Sequence, residues 1–138
     1  MNKRILVADD HGSARRALRT LITQRQDWHL CAEAVDGLDA VEKAKSMSPD
    51  VAVLDLAMGG LNGVEAAAAI AASCPTTIVL AISMYDAEPL LDRLQTVGIK
   101  GFIPKNHLGI ELLPAIDAVL RGRSWFPTSG TNWPRPSC

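Results

Sequence analysis

The sequence has few cysteines, no long hydrophobic run and no secretory signal. Three cysteines in 138 residues are an odd number at irregular spacing, which argues against a disulfide framework or a zinc site. The longest aliphatic runs, such as Ile5–Ala8 and Ile78–Ile82, are far shorter than the roughly 20 residues of a transmembrane helix. Lys3 and Arg4 precede too few apolar residues for a signal peptide. We therefore expect a reduced, cytoplasmic protein that does not bind a membrane.

The chain also lacks an excess of either charge. It has 14 Lys+Arg against 15 Asp+Glu, a formal net charge of −1, whereas a general nucleic-acid binder carries a basic excess. We therefore expect no direct nucleic-acid binding by this chain. Its hydrophobic content of 48% and charged content of 21% are typical of a globular protein. The length predicts one domain, since domains average about 150 residues.

Short aliphatic runs alternate five times with segments of helical period. Most of the runs are almost continuously apolar, which is typical of parallel strands covered on both faces. The second run contains Glu33 and is more polar, so we expect it at an edge of the sheet. The predicted strands are Arg4–Ala8, His29–Ala34, Val51–Leu56, Thr77–Ile82 and Gly101–Ile103.

The helical segments complete a five-stranded, doubly wound α/β sheet, because each is long enough to cross over between parallel strands. Ser13 and Asp36 are the predicted caps of the first and second helices. The third runs from about Val64 to Ala72, and the fourth stops at Gly98. The fifth stops at Gly122 and contains Pro114, which would kink it unless the helix begins near Leu113.

After Gly122 the helical period ends and residues 123–138 are rich in Pro, Gly, Ser and Thr. This composition predicts a linker or C-terminal tail. Within it, Trp125 and Phe126 either pack back on the fifth helix or anchor a partner, and the first is the more common outcome for such residues.

Ionisable and hydroxyl side chains follow four of the predicted strands. Asp9 and Asp10 follow the first, Asp55 lies at the end of the third, Ser83 follows the fourth and Lys105 comes after the fifth. Ligands of open parallel sheets bind beyond the carboxyl ends of the strands. We therefore expect these five side chains to form one site.

Three carboxylates in one site repel one another, and a bound divalent cation offsets this repulsion. Oxygen ligands in an open, hydrated site favour Mg²⁺. The metal, the Lys105 ammonium and the Ser83 hydroxyl would together bind the oxygens of a phosphoryl group. One carboxylate could then attack its phosphorus and form an acyl phosphate. His11 adjoins the acidic pair and is either a further ligand or, more commonly, a loop residue near the site.

The motifs at these strand ends are similar to those of response-regulator receiver domains of the CheY-like family, over roughly residues 3–122. Within the family, Asp-Asp-His and Ser-Met-Tyr-Asp resemble the NarL/LuxR-type subgroup most. The resemblance implies a flavodoxin-like (βα)5 fold with strand order 2-1-3-4-5, a receiver domain at 1–122 and a linker or tail at 123–138. The matching stretches are Ile5–His11, Asp50–Met58, Asn62–Glu65, Ser83–Asp86 and Gly101–Lys105.

The resemblance also implies a role for each site residue. Asp55 would accept a phosphoryl group from a sensor histidine kinase or a phosphotransfer protein. Lys105 would pair with that group, and Ser83 would close on it. Phe102 would then pack inward as the aromatic switch. The Mg²⁺ ligands would be Asp9, Asp10, Asp55 and the backbone carbonyl of Ala57.

The resemblance implies a self-phosphorylating and autodephosphorylating switch rather than an enzyme, and a phosphorylation-dependent homodimer is one possible output. The residues also leave other functions open. The chain could be a phosphorelay intermediate, a phosphate sink or the receiver of a longer DNA-binding regulator. A HAD-type phosphohydrolase would carry a second Asp two residues after the nucleophile, where this chain has Ala57. A degenerate receiver would lack part of the acidic set.

Overall fold

The computed structural model describes residues 2–58, 63–84 and 88–126. Parts of the Asn62–Glu65 and Ser83–Asp86 motifs and most of the expected tail lie outside these residues. Within them, strands and helices alternate strictly along the chain, as the apolar periodicity predicts. The strands are β1 (Lys3–Ala8), β2 (Trp28–Ala34), β3 (Val51–Asp55), β4 (Ile78–Ser83) and β5 (Gly101–Pro104). The helices are α1 (Gly12–Ile22), α2 (Gly37–Met47), α3 (Gly63–Ser73), α4 (Leu91–Thr96) and α5 (Leu108–Leu120).

The five strands form one parallel sheet in the order β2-β1-β3-β4-β5. This confirms the doubly wound class, the strand order and the edge position of the polar second strand. None of the described helices is long and apolar enough to cross a membrane.

Two buried layers lie on opposite faces of the sheet, because successive side chains of a strand point to opposite sides. One layer joins the sheet to α2, α3 and α4 through residues such as Val41, Ile70 and Leu94. The other joins it to α1 and α5 through residues such as Leu18 and Ile116. The apolar strands are therefore covered on both sides, and their carboxyl ends are left as the edge where polar side chains collect.

Several local predictions were wrong. The first helix begins at Gly12, with His11 rather than Ser13 at the N-cap position and no side-chain cap. The predicted cap at Asp36 is confirmed, since its carboxylate accepts a hydrogen bond from the Asp39 N–H at 2.8 Å. Strand β3 ends at Asp55 instead of Leu56, and β4 is Ile78–Ser83 instead of Thr77–Ile82.

The fifth helix starts at Leu108 and continues through Pro114, so a start near Leu113 is wrong. Pro114 lies on the exposed side of α5, where water can bind the Ile110 carbonyl that the missing N–H leaves unpaired. Gly98 and Gly122 end their helices as predicted, and both have positive φ angles, of 98° and 83°. A side chain would strain either position.

Gly63 marks a close approach between the start of α3 and the chain that follows β3. A Cβ at this position would lie 2.4 Å from the Cα of Leu56. Only glycine lets α3 begin so near to the residue after Asp55.

Candidate functional site

The carboxyl edge of the sheet brings Asp9, Asp10 and Asp55 together with Lys105. The ends of β1, β3 and β5 supply these side chains, and all three strands are buried between the two apolar layers. Asp9 and Asp55 are 0% and 1% exposed, while the side chain of Asp10 is 33% exposed. Two of the three carboxylates therefore face inward, and the third lies at the mouth of the site.

The Lys105 ammonium is shared between two buried carboxylates. Its Nζ lies 2.9 Å from Oδ2 of Asp55, to which it donates a hydrogen bond, and 2.6 Å from Oδ2 of Asp9. The contact with Asp9 is an ion pair rather than an aligned hydrogen bond. Burial by itself lowers the pKa of Lys105, but the two carboxylates outweigh it and raise the pKa above its ordinary value. The side chain therefore stays cationic.

The backbone holds the remaining oxygens of the buried carboxylates. Oδ1 of Asp9 accepts the His11 N–H at 3.0 Å, and Oδ1 of Asp55 accepts the Ala57 N–H at 2.9 Å. Ala57 thus lies in the turn directly after β3. Its backbone carbonyl remains a predicted ligand.

His11 and Arg15 also belong to this region. Nδ1 of His11 lies 2.9 Å from a carboxylate oxygen of Asp10. The Arg15 guanidinium donates to the backbone carbonyl of Asp9 at 2.8 Å and fixes the end of β1. Our sequence reasoning missed Arg15. A turn of α1 brings it back to Asp9, and the helical spacing is the signal that could have found it.

The donor set fits a hard divalent cation. One ligand atom from each of Asp9, Asp10, His11 and Asp55 can be chosen so that all four lie within 4.8 Å of one another. Carboxylate oxygens suit Mg²⁺, Ca²⁺ or Mn²⁺. The acidic pocket can therefore hold a metal ion.

Ser83 and Phe102 lie on the neighbouring strands. Ser83 ends β4, is 4% exposed, and pairs in register with Pro104, the residue before Lys105. The Phe102 ring on β5 is 3% exposed and packs in the layer that contains α4. The aromatic side chain of the predicted switch thus points inward in this structure.

Comparison with known proteins agrees with this geometry. Residues 5–117 match the family model described as the response regulator receiver domain. This chain belongs to the response-regulator receiver family. The oxygen regulatory protein NreC of Staphylococcus aureus strain JH9 is 36% identical to the receiver over 123 residues, which are 88% of this chain and 57% of NreC. The chain thus spans little more than half the length of this curated relative.

Solved structures support the same assignment. The signal receiver domain of the response regulator NarL from Mycobacterium tuberculosis is 32% identical, with a TM-score of 0.83 over 88% of this chain and 98% of that one. A LuxR-family two-component response regulator from Aurantimonas sp. SI85-9A1 is 29% identical, with a TM-score of 0.85 over 94% of this chain and 91% of that one. The family and the NarL/LuxR resemblance are confirmed, and the phosphohydrolase reading is set aside.

Proposed function

We propose that Asp55 of this receiver accepts a phosphoryl group from the phosphohistidine of a sensor kinase or of a phosphotransfer protein, in the cytoplasm. The observation that carries the proposal is the position of Asp55. It is buried at the carboxyl edge, 2.9 Å from the Lys105 ammonium and beside the carboxylates of Asp9 and Asp10. An isolated aspartate after a strand usually forms a turn, whereas this one faces a cation and two further acids.

The transfer follows from this arrangement. A carboxylate oxygen of Asp55 attacks phosphorus, the new P–O bond forms as the P–N bond breaks, and the electron pair of that bond returns to the histidine nitrogen. The Lys105 ammonium is placed to bind a phosphoryl oxygen as negative charge develops there. The Ser83 hydroxyl, on the next strand, would donate to another of these oxygens. The product is an acyl phosphate.

We further propose that the cation of this pocket is Mg²⁺, held by Asp9, Asp10, Asp55 and the backbone carbonyl of Ala57. When bound, Mg²⁺ would neutralise charge on the phosphoryl oxygens. Asp10 lies at the mouth of the site and is the carboxylate nearest to solvent, so it would meet the hydrated ion first. The receiver would thus catalyse its own phosphorylation and dephosphorylation without being an enzyme for another substrate.

The output that we propose is a change in a protein-binding surface, with self-association as one form of it. The near-neutral charge of the chain favours protein partners over direct nucleic-acid contacts. A phosphorelay or phosphate-sink role, and a place in a longer DNA-binding regulator, remain alternatives. Sedimentation of the receiver with and without beryllofluoride, alongside partner pull-down, separates the proposed output from a relay or a sink, because neither of these needs a change in association or in partner binding.

Phosphorylation itself is tested with a small acyl-phosphate donor and Mg²⁺, followed by intact-mass measurement. We expect one added phosphoryl group on the wild type and none on Asp55→Asn. Asp92→Asn, which changes an exposed aspartate of α4, is the matched control and should label like the wild type. Labelling that persists in Asp55→Asn would contradict the assignment.

A further inference from the structure

The chain returns to the sheet after α5. The Trp125 N–H donates to the Lys100 carbonyl at 3.0 Å, and the Trp125 carbonyl accepts from the Phe102 N–H at 2.8 Å. These bonds make a parallel bridge between Trp125 and Gly101 on the outer edge of β5. We call residues 123–126 the C-terminal strap. Because the strap pairs with an edge strand, it satisfies backbone groups that would otherwise face solvent.

A buried side-chain hydrogen bond anchors the strap. The Trp125 indole is 5% exposed, and its Nε1 donates to Oε1 of Glu111 at 2.8 Å. Glu111 is 1% exposed, and its second carboxylate oxygen lies 2.9 Å from Nδ1 of His107. A buried carboxylate is costly unless it is hydrogen-bonded. Loss of the indole would remove a donor from this carboxylate, so the strap is held at a specific place.

The strap lies directly against the backbone of β5. A Cβ at Gly101 would be 2.5 Å from a methyl carbon of Leu80 and 3.0 Å from the Trp125 carbonyl oxygen. Trp125 packs in the layer that contains α5, whereas Phe126 packs against the opposite layer. The strap therefore contacts the edge of the sheet on both faces, and its backbone lies close against Gly101 of β5.

Two short connections link the strap to the proposed phosphoacceptor site. Along β5, Phe102 bonds to the strap, and the same strand leads to Lys105. Beyond it, the 3-10 turn Lys105–His107 leads to the contact between His107 and Glu111. Lys105, which pairs with Asp55, therefore lies between the two points at which the strap is attached.

We propose that the C-terminal strap reports the state of Asp55 to the chain beyond α5, and that it is held more tightly when Asp55 is phosphorylated. A phosphoryl group that binds Lys105 would fix the end of β5 and the turn that follows. It would thereby favour the inward Phe102 whose N–H bonds to the strap. This inference rests on the proposed phosphorylation of Asp55, since the two states differ only if that site is occupied.

Amide exchange measured by NMR tests the proposal, because the N–H groups of Phe102 and Trp125 both donate hydrogen bonds that join the strap to this edge of the sheet. Beryllofluoride with Mg²⁺ serves as the probe. We expect it to slow exchange at both amides by about fivefold or more, the lower end of typical coupling between two sites. Trp125→Phe removes the indole donor and should raise exchange at Phe102. Trp28→Phe, which changes a buried tryptophan of β2 at the opposite edge of the sheet, is the matched control and should not.

Coupling is reciprocal, so Trp125→Phe should also weaken beryllofluoride binding and Trp28→Phe should leave it unchanged. The NMR signals of Asp55 and Lys105 show whether beryllofluoride has bound. If it binds and the strap amides exchange at the same rate or faster, the strap inference is wrong and the proposed function stands. If it binds neither the wild type nor the variants, the proposed function fails and the strap inference fails with it.

Discussion

Nζ of Lys105 lies closer to the Asp9 carboxylate, at 2.6 Å, than to the Asp55 carboxylate, at 2.9 Å. The ammonium therefore partly neutralises the buried Asp9 carboxylate, which a metal ion in this pocket would also bind. A cation that enters the pocket has to share Asp9 with Lys105 or displace it. This competition affects the Mg²⁺ affinity of the site, which can be measured before any phosphate is added.

Removal of the ammonium should strengthen metal binding. We expect Lys105→Met to bind Mg²⁺ at least about fivefold more tightly, because two unit charges about 4 Å apart interact by about 1 kcal/mol even in bulk water. Calorimetric titration with Mg²⁺ measures the effect. Lys43→Met removes a surface lysine that pairs with Asp39 on α2, and it should leave the affinity unchanged. Equal or weaker binding by Lys105→Met would show that Lys105 and the metal do not compete.

The raised pKa of Lys105 predicts a definite pH dependence. A group whose pKa is higher in the folded state contributes stability that is complete below its unfolded value, about 10.4 for lysine. That contribution is lost as the pH rises through the folded pKa. NMR titration of the Lys105 side chain should give a midpoint above those of exposed lysines such as Lys3. A midpoint at or below theirs would mean that burial outweighs the two carboxylates.

Mg²⁺ should be required for phosphorylation and should act through Asp10. We expect Asp10→Ala to fold normally, because its side chain is partly exposed, and to lose both Mg²⁺ binding and labelling by an acyl-phosphate donor. Intact mass in the presence of Mg²⁺ or of a chelator measures the labelling. Undiminished labelling in chelator would rule out the metal requirement.

Ser83 should affect the response more than the acceptance of phosphate. Ser83 ends β4 and pairs with Pro104, the residue before Lys105. Ser83→Ala therefore removes a donor to the phosphoryl group but leaves the nucleophile in place. We expect Ser83→Ala to be labelled at Asp55 and to show a smaller beryllofluoride effect on self-association or partner binding. Ser46→Ala, on the exposed side of α2, serves as the control for sedimentation. An unchanged response in Ser83→Ala would remove Ser83 from the switch.

The sequence predicted a parallel, doubly wound sheet because β1, β3 and β4 are nearly pure aliphatic runs that are buried on both faces, whereas the strand order was implied by the resemblance to receiver domains. It also predicted that Asp9, Asp55 and Lys105 meet, since parallel strands end at a common edge. Local hydrogen bonding was harder to anticipate. Ser13 is a good cap by residue type, yet the helix begins earlier, at Gly12, because the turn after Asp10 is set by the His11 N–H bond to Asp9.

The sequence pattern could not predict the long-range contacts. Nothing in the spacing shows that Trp125 lies on the edge of β5, because the pairing partner Gly101 is far away in the chain and a single bridge leaves no periodicity. The role of Arg15 differs from this case: helical spacing places it one turn from Asp9, but it was overlooked because it binds a backbone carbonyl rather than a side chain. The inward position of Phe102 likewise depends on packing. The functional roles of the site residues, those of Ser83, Phe102 and Ala57 included, remain predictions.

Trp125 and Phe126 pack on opposite faces of the sheet, and this bears on where the chain can be cut. A version that ends at Gly122, where the helical period stops, would uncover both apolar layers at once and leave the Phe102 N–H without its carbonyl partner. Fusions or truncations designed around the helices would therefore remove part of the fold itself. For expression and for grafting onto another protein, the chain should therefore extend at least to Phe126.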